Sequence, residues 1–231
     1  MLLALAVCSF LLRRSQRSLP LPGWQKAALG LAAFVGAFLG ARAPFFMTGA
    51  LLPPWHVSWL SDGKTILAGI IGAYFAVELA KWSLQIRTKT GDTFAIPVAI
   101  AVAIGRIACF VGGCCFGQPT SLPWGMVFPL SGDALPRHPT QLYEAAFHLA
   151  MAGLLYLLRD AKELRRQQIK LYILVYLAYR FATEFIRPEA EAWLGLTYYQ
   201  WACFPLAAIF AGLWVIDAAA LKREEDAAAA V

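Results

Sequence analysis

From Phe94 to Val111 the chain runs for 18 residues with a single charge, Arg106. A helix of about 20 apolar residues crosses the hydrocarbon of a bilayer. Backbone in lipid must satisfy its own hydrogen bonds, so such a run is expected to be helical. Similar runs recur at about 24–46, 65–82, from 140 to just before Arg159, 171–186 and 196–218. Residues 2–12 are apolar but short. Their positive charges, Arg13, Arg14 and Arg17, follow the run rather than precede it, so they do not read as a signal peptide. They read as the second half of a first span that begins upstream. Charged residues make up 15% of the chain and hydrophobic ones 60%, where a soluble domain carries roughly 25% charge. The expectation is an all-α polytopic membrane bundle of about seven transmembrane helices. It forms one domain over residues 1–231, with a small extracytoplasmic, Gly/Pro-rich, non-helical head at about 113–137 and no soluble appendage.

The formal net charge of +6 does not call for a nucleic-acid partner. Lys and Arg gather in the links after spans one, three and five and at the C-terminus. The links after spans two, four and six hold few, with Arg187 after the sixth. By the positive-inside rule this alternation predicts an outside N-terminus and a cytoplasmic C-terminus. It puts the head and Arg187 near the outer face. Gly30, Gly36 and Gly40 give the second span a small-residue packing face. Arg42 near its end has two readings, snorkelling to the interface or function. Pro53, Pro54, Trp55, Trp59 and Gly63 read as a loop with interfacial aromatics. Glu78 and Lys81, one turn apart in the third span, read as an interfacial ion pair.

Three polar clusters stand out against this apolar background. The first is Gly105 to Gly117, with Arg106 and the cysteines Cys109, Cys114 and Cys115. The second is Arg137-His138-Pro139-Thr140-Gln141-Leu142-Tyr143-Glu144, followed by His148. Gln141, Glu144 and His148 share one helical face. The third is Tyr172, Tyr176, Arg180, Glu184 and Arg187, at intervals of four, four, four and three. Ionisable groups inside a membrane usually face the bundle interior and mark function. Arg106, Arg180 and Arg187, with Arg137 nearby, are expected to converge at one level. Guanidinium binds phosphate bidentately, so a phospholipid head group is the natural complement. The three cysteines have competing readings: packing residues, a redox pair, or ligands of zinc or copper, in which adjacent cysteines make an awkward zinc pair.

At these residues the chain resembles the bacterial prolipoprotein diacylglyceryl transferases. Gly105-Arg106 and Gly117 match the ends of that family's signature. Pro123 to Pro129, Arg137 to Glu144, and Tyr179-Arg180-Phe181 with Glu184-Phe185 and Arg187 match further motifs, and Gln200 fits a glutamine of the last span. Cys109 and Cys114 stand where the signature usually has Asn and Glu. Leu67 stands where the third span usually has His. The resemblance implies transfer of a diacylglyceryl group from phosphatidylglycerol to the thiol of a lipobox cysteine in a secreted precursor, with release of glycerol phosphate. It implies a multi-pass protein of the bacterial inner membrane, with membrane lipids and that precursor as partners and with no cofactor and no metal. Expected catalytic residues are Arg106, Arg180, Glu184 and His138. Expected substrate-binding residues are Arg137, Gln141, Tyr143, Glu144, Tyr176, Arg187 and Gly117. Two alternatives stand beside this: a membrane thiol-redox or metal-binding protein using Cys109, Cys114 and Cys115, and a non-catalytic phospholipid-binding paralogue.

Overall fold

A computed structural model describes residues 2–44, 65–189 and 191–229. The expected loop with Pro53, Pro54, Trp55, Trp59 and Gly63 lies outside the described residues, as does the end of the second span. Seven α-helices are present among those described: α1 (Leu2–Ser15), α2 (Gly23–Gly40), α3 (Ile66–Ser83), α4 (Gly91–Val111), α5 (Thr140–Leu157), α6 (Gln168–Thr183) and α7 (Tyr198–Ala229). They match the seven spans read from the sequence, and the fold is an all-α membrane bundle. Helices α3, α4 and α7 are long and apolar enough to cross a membrane by length and composition alone. The chain divides into two compact units, residues 16–90 and residues 1–15 with 91–231.

In the first unit α2 packs on α3 through glycine. A Cβ on Gly40 would stand 2.5 Å from the Ala68 carbonyl oxygen, and one on Gly72 would stand 2.8 Å from the Gly40 Cα. Bare backbone at these positions is what allows the helices to touch. Arg42 is buried, its guanidinium 4.5 Å from the centre of the Phe38 ring. Lys81 Nζ lies 2.9 Å from Glu78 Oε1, the expected one-turn pair.

In the second unit α4 packs against α1 and α5, and α6 packs against α7. Ala95, Ala99 and Ala103 form a fully buried stripe along α4. Arg106 continues that stripe, so helical periodicity turns its side chain inward. Helix α5 buries Gln141, Glu144, His148, Met151 and Leu155, and α6 buries Tyr172, Ile173, Tyr176, Leu177 and Arg180. Glutamate 184 is buried too, but it starts a short 3₁₀ turn, and Arg187 lies beyond that turn in extended backbone. Arg187 therefore does not sit on the helix that the four-residue spacing suggested. Helix α7 continues to Ala229, eleven residues past the expected end. At about 1.5 Å per residue it is about 48 Å long, longer than the hydrocarbon is thick.

At one end of this unit the α5–α6 link is tied down by charge. Asp92 accepts the backbone N–H of Arg166 at 2.7 Å and of Gln168 at 3.0 Å. Lys170 pairs with Asp217 at 2.5 Å, and Arg166 with Glu224 at 2.7 Å. At the other end lies the head. Met126 and Arg137 exchange backbone hydrogen bonds of 3.0 and 2.9 Å, and the Gly117 N–H donates to the His138 carbonyl at 2.8 Å. Beside it is a small antiparallel pair, β1 (Glu191–Trp193) with β2 (Leu196–Thr197), too short to be seen as an alternating pattern. Trp193 stacks on Trp201 of α7.

Candidate active site

The head end of the second unit holds a buried charge cluster centred on Glu144. Arg106 Nη2 lies 2.7 Å from Glu144 Oε2, and Arg187 Nη1 lies 3.6 Å from the same oxygen. The other oxygen accepts a hydrogen bond from the Tyr176 hydroxyl at 2.5 Å, and His148 Nε2 stands 3.9 Å away. The far side of His148 is held by the Tyr172 hydroxyl, 2.9 Å from Nδ1. One carboxylate thus faces two guanidiniums, brought from α4 and from the turn after α6. The fully buried tyrosines and His148 pack ring against ring behind it.

A second pair flanks this cluster. Arg180 Nη2 lies 2.7 Å from Glu184 Oε2, and the Thr197 hydroxyl donates to Glu184 Oε1 at 3.0 Å. The Arg180 guanidinium lies 4.9 Å from the centre of the Tyr199 ring. Thr197 also accepts from the Gln200 N–H, while the Gln200 side chain accepts from the Thr197 N–H. That reciprocal pair is a capping box at the start of α7. The motif Thr197-x-x-Gln200 was legible in the sequence, and it is the signal that would have found Thr197. Trp124 lay within the Pro123 to Pro129 motif, whereas Tyr199 carried no such signal.

Three arginines, Arg106, Arg180 and Arg187, share two paired carboxylates, Glu144 and Glu184. Burial, and then repulsion from Arg180, lower the Arg187 guanidinium below its ordinary value even with Glu144 opposing them. Arg106 Nε, Arg180 Nη1, Arg187 Nε and His148 Nε2 are buried without a hydrogen bond from the described residues. Arg106 and Arg180 meet their carboxylates as ion contacts rather than as aligned hydrogen bonds. Guanidinium N–H groups left in this way suit an anion with several acceptor oxygens.

The remaining expected residues lie around this centre. Gln141 donates to the Cys114 carbonyl at 2.5 Å, and Thr140 to the Cys115 carbonyl at 2.8 Å. Gly117 is wedged: a Cβ there would stand 2.7 Å from the Ile186 carbonyl oxygen and 2.8 Å from the His138 Cβ. The His138 ring is 3.4 Å from the Tyr143 hydroxyl, which accepts from the Trp124 indole at 2.7 Å. Tyr143 and Trp124 line an apolar groove of about 700 Å³ with Pro123, Met126 and Leu142. Arg137 does not join the other arginines. It pairs with Asp133 at 2.6 Å and lies over the Phe116 ring, and its carboxylate partner four residues away holds it within the head.

The cysteines form a cluster of their own. The sulfurs of Cys109, Cys114 and Cys115 all lie within 4.8 Å of one another, and those of Cys114 and Cys115 are 3.8 Å apart. A hydrogen bond from Cys109 outweighs burial and, with Arg106, Cys114 and Arg187, draws the Cys115 thiol down to about 5. Burial, and then the charge of Cys115, push Cys114 up.

The sequence model of the prolipoprotein diacylglyceryl transferase family matches residues 1–216. The chain belongs to that family. It is 33% identical over 238 residues to the phosphatidylglycerol–prolipoprotein diacylglyceryl transferase of Oleidesulfovibrio alaskensis, covering 96% of this chain and 87% of the relative. It is 32% identical over 196 residues to the enzyme of that name from Bordetella bronchiseptica, covering 80% and 74%. The Methylococcus capsulatus enzyme is 34% identical over 205 residues, covering 85% and 76%. No solved structure matches the chain. As a diacylglyceryl transferase family member the chain is a membrane transferase of lipoprotein biogenesis. Tyr143 and Glu144 are consecutive on α5, Tyr143 lining the groove of the head and Glu144 buried in the charge cluster.

Proposed function

We propose that this chain transfers a diacylglyceryl group from phosphatidylglycerol to the thiol of a lipobox cysteine in a secreted precursor and releases glycerol phosphate. The observation that carries the reading is the buried convergence of Arg106 and Arg187 on Glu144, with Arg180 beside them and guanidinium N–H groups to spare. The phosphodiester of the lipid occupies this pocket. Arg106 and Arg180 stabilise the charge that develops as glycerol phosphate departs. Glu144, fixed by Tyr176, keeps Arg106 and Arg187 aimed and so acts as a positioning residue. Glu184 does the same for Arg180.

The acceptor peptide enters by the apolar groove beside Tyr143. His138, at the edge of that groove, is placed to receive the thiol proton, because the thiolate is the nucleophile. Gln141 and Gly117 shape the wall by holding the 114–117 backbone, and Arg137 holds the head over Phe116. The whole forms one functional domain in the bacterial inner membrane, with the head outside and the C-terminus in the cytoplasm. The basic α5–α6 link and the α7 end, gathered opposite the head, support that orientation. Reporter fusions after Arg165 and within 119–133 are expected to show opposite sidedness, and equal signals overturn the orientation.

The decisive assay places the purified protein in vesicles of phosphatidylglycerol with a cysteine-bearing lipobox peptide. The expected result is peptide-dependent release of glycerol phosphate, matched by a diacylglyceryl mass gain on the peptide. Lipid binding without release favours the non-catalytic paralogue and overturns the proposal.

A further inference from the structure

The three cysteines are arranged more narrowly than packing requires. Two sulfurs bound to one zinc ion at about 2.3 Å in a tetrahedron stand about 3.8 Å apart. The sulfurs of Cys114 and Cys115 are 3.8 Å apart, and Cys109 joins them within 4.8 Å. Adjacent residues in an extended chain point their side chains to opposite sides. Cys115 escapes this by taking a left-handed conformation, φ 61°, which is uncommon for a residue with a Cβ. That backbone turn is what makes a neighbouring pair usable, against the spacing argument from sequence. The turn is fixed by groups other than sulfur. The Cys114 N–H donates to the Cys109 carbonyl at 3.2 Å, and Gln141 and Thr140 clamp the carbonyls of Cys114 and Cys115. All three thiols are free, and Cys115 is exposed.

We propose that Cys109, Cys114 and Cys115 form a three-thiolate zinc site whose fourth position receives the sulfur of the acceptor cysteine. Three protein ligands and one open position are the pattern of catalytic rather than structural zinc. Three thiolates and one Zn²⁺ leave a charge of −1, which Arg106, one helical turn before Cys109, offsets. A thiol that coordinates zinc is deprotonated outright. The inference rests on the transferase reading, because it gives the acceptor thiol its place in that reaction. As sulfur binds the ion, the acceptor S–H gives its proton to His138, the acceptor in the proposed reaction, which passes it on to solvent. The sulfur lone pair then forms the S–C bond to the glycerol carbon bearing the phosphate ester. The C–O bond breaks, and its electron pair leaves with glycerol phosphate as the dianion. Thiol and phosphatidylglycerol become thioether, glycerol phosphate and one proton, with no oxidant or reductant consumed.

The full chain, purified in detergent and stripped with a chelator, is titrated separately with Zn²⁺, Co²⁺ and Cu⁺ against a competing chelator. One Zn²⁺ per chain is expected in the parent and in Cys8→Ser, and less than about a tenth of that occupancy in C115S at the same free zinc. The Co²⁺ form should show sulfur-to-cobalt charge-transfer absorption, and its ligand-field bands should shift with a cysteine lipobox peptide but not with its serine counterpart. Chelation should lower diacylglyceryl transfer by more than about tenfold, and zinc should restore it. Monodispersity and melting of C109S, C114S and C115S separate lost ligands from lost fold, and a Co²⁺ spectrum without thiolate bands in the folded parent overturns the site. Binding of Cu⁺ alone, or oxidation of the trio to a disulfide that excludes zinc, also overturns it. Transfer that proceeds unchanged in the stripped parent or the triple serine variant overturns the zinc inference and leaves the transferase reading standing. Stoichiometric zinc with a peptide-dependent spectrum and no transfer overturns that reading instead, and the proposed reaction step falls with it.

Discussion

The two ends of the larger unit use the same residue types to opposite ends. At the α5–α6 link Lys170 donates to Asp217 and to the Arg166 carbonyl, both oxygens of Asp92 accept backbone N–H groups, and Arg166 reaches Glu224. Apart from Gln167 Oε1, no buried side-chain atom of that network is left without a partner. At the head end Arg106, Arg180 and Arg187 outnumber Glu144 and Glu184, and several of their N–H groups have none. A buried charge with its hydrogen-bond capacity filled holds a link in place. A buried charge with capacity left over is costly unless something else completes it. The contrast separates anchoring from function where composition does not, because both ends are basic.

Glu144→Gln should show the largest effect on the fold. It leaves Arg106 and Arg187 buried without their carboxylate, at a cost of about 3–5 kcal/mol, read as a fall in denaturation midpoint in detergent. Arg106→Ala tests the functional half. Transfer per folded molecule should drop about 10²–10³-fold, the scale for losing one preorganised charge stabiliser. Arg106→Lys should recover only part of it, since an ammonium lacks the planar fork. If both Arg106 variants turn over lipid like the parent, the contrast between the ends has no functional meaning.

Asp217→Asn probes the anchoring end. Its expected cost is about 1–3 kcal/mol of stability, with transfer per folded molecule unchanged. A specific loss of transfer would break the division of labour. Gly117→Ala should cost a similar 1–3 kcal/mol, because its Cβ meets the Ile186 carbonyl and the His138 side chain and pushes the loop aside. It should also disturb the cysteine trio, seen as reduced Zn²⁺ uptake. The smallest effect concerns Cys115 in the metal-free protein. Its folded value is depressed to about 5, so the thiolate is present at neutral pH and is lost as pH falls through that value. Alkylation of Cys115 should therefore stay fast down to about pH 5.

The apolar runs and the inward-facing Arg106 were legible in the chain because hydropathy and an ionisable group within a span are local properties. So was the face of α5 that buries Gln141, Glu144 and His148. The extension of α7 to Ala229 was not, because hydropathy reports the end of the lipid contact rather than the end of the helix. The β1–β2 pair was too short to show a pattern, although the capping box that follows it was present in Thr197-x-x-Gln200.

By itself, the sequence determined the helical membrane fold and which residue types lie inside it. A span that buries an arginine must pair it within the protein, whatever the neighbours are. Which carboxylate does so was a matter of tertiary structure. Glu144 serves Arg106 and Arg187 from a different helix, whereas Arg137, written into the same motif as Glu144, turns to Asp133 four residues away. The arrangement of the cysteines was decided in the same way. Spacing argued against a neighbouring pair as joint ligands, since it assumes that side chains alternate. The left-handed turn at Cys115, held by Gln141 and Thr140 from α5, removes that alternation, and only long-range contacts could impose it.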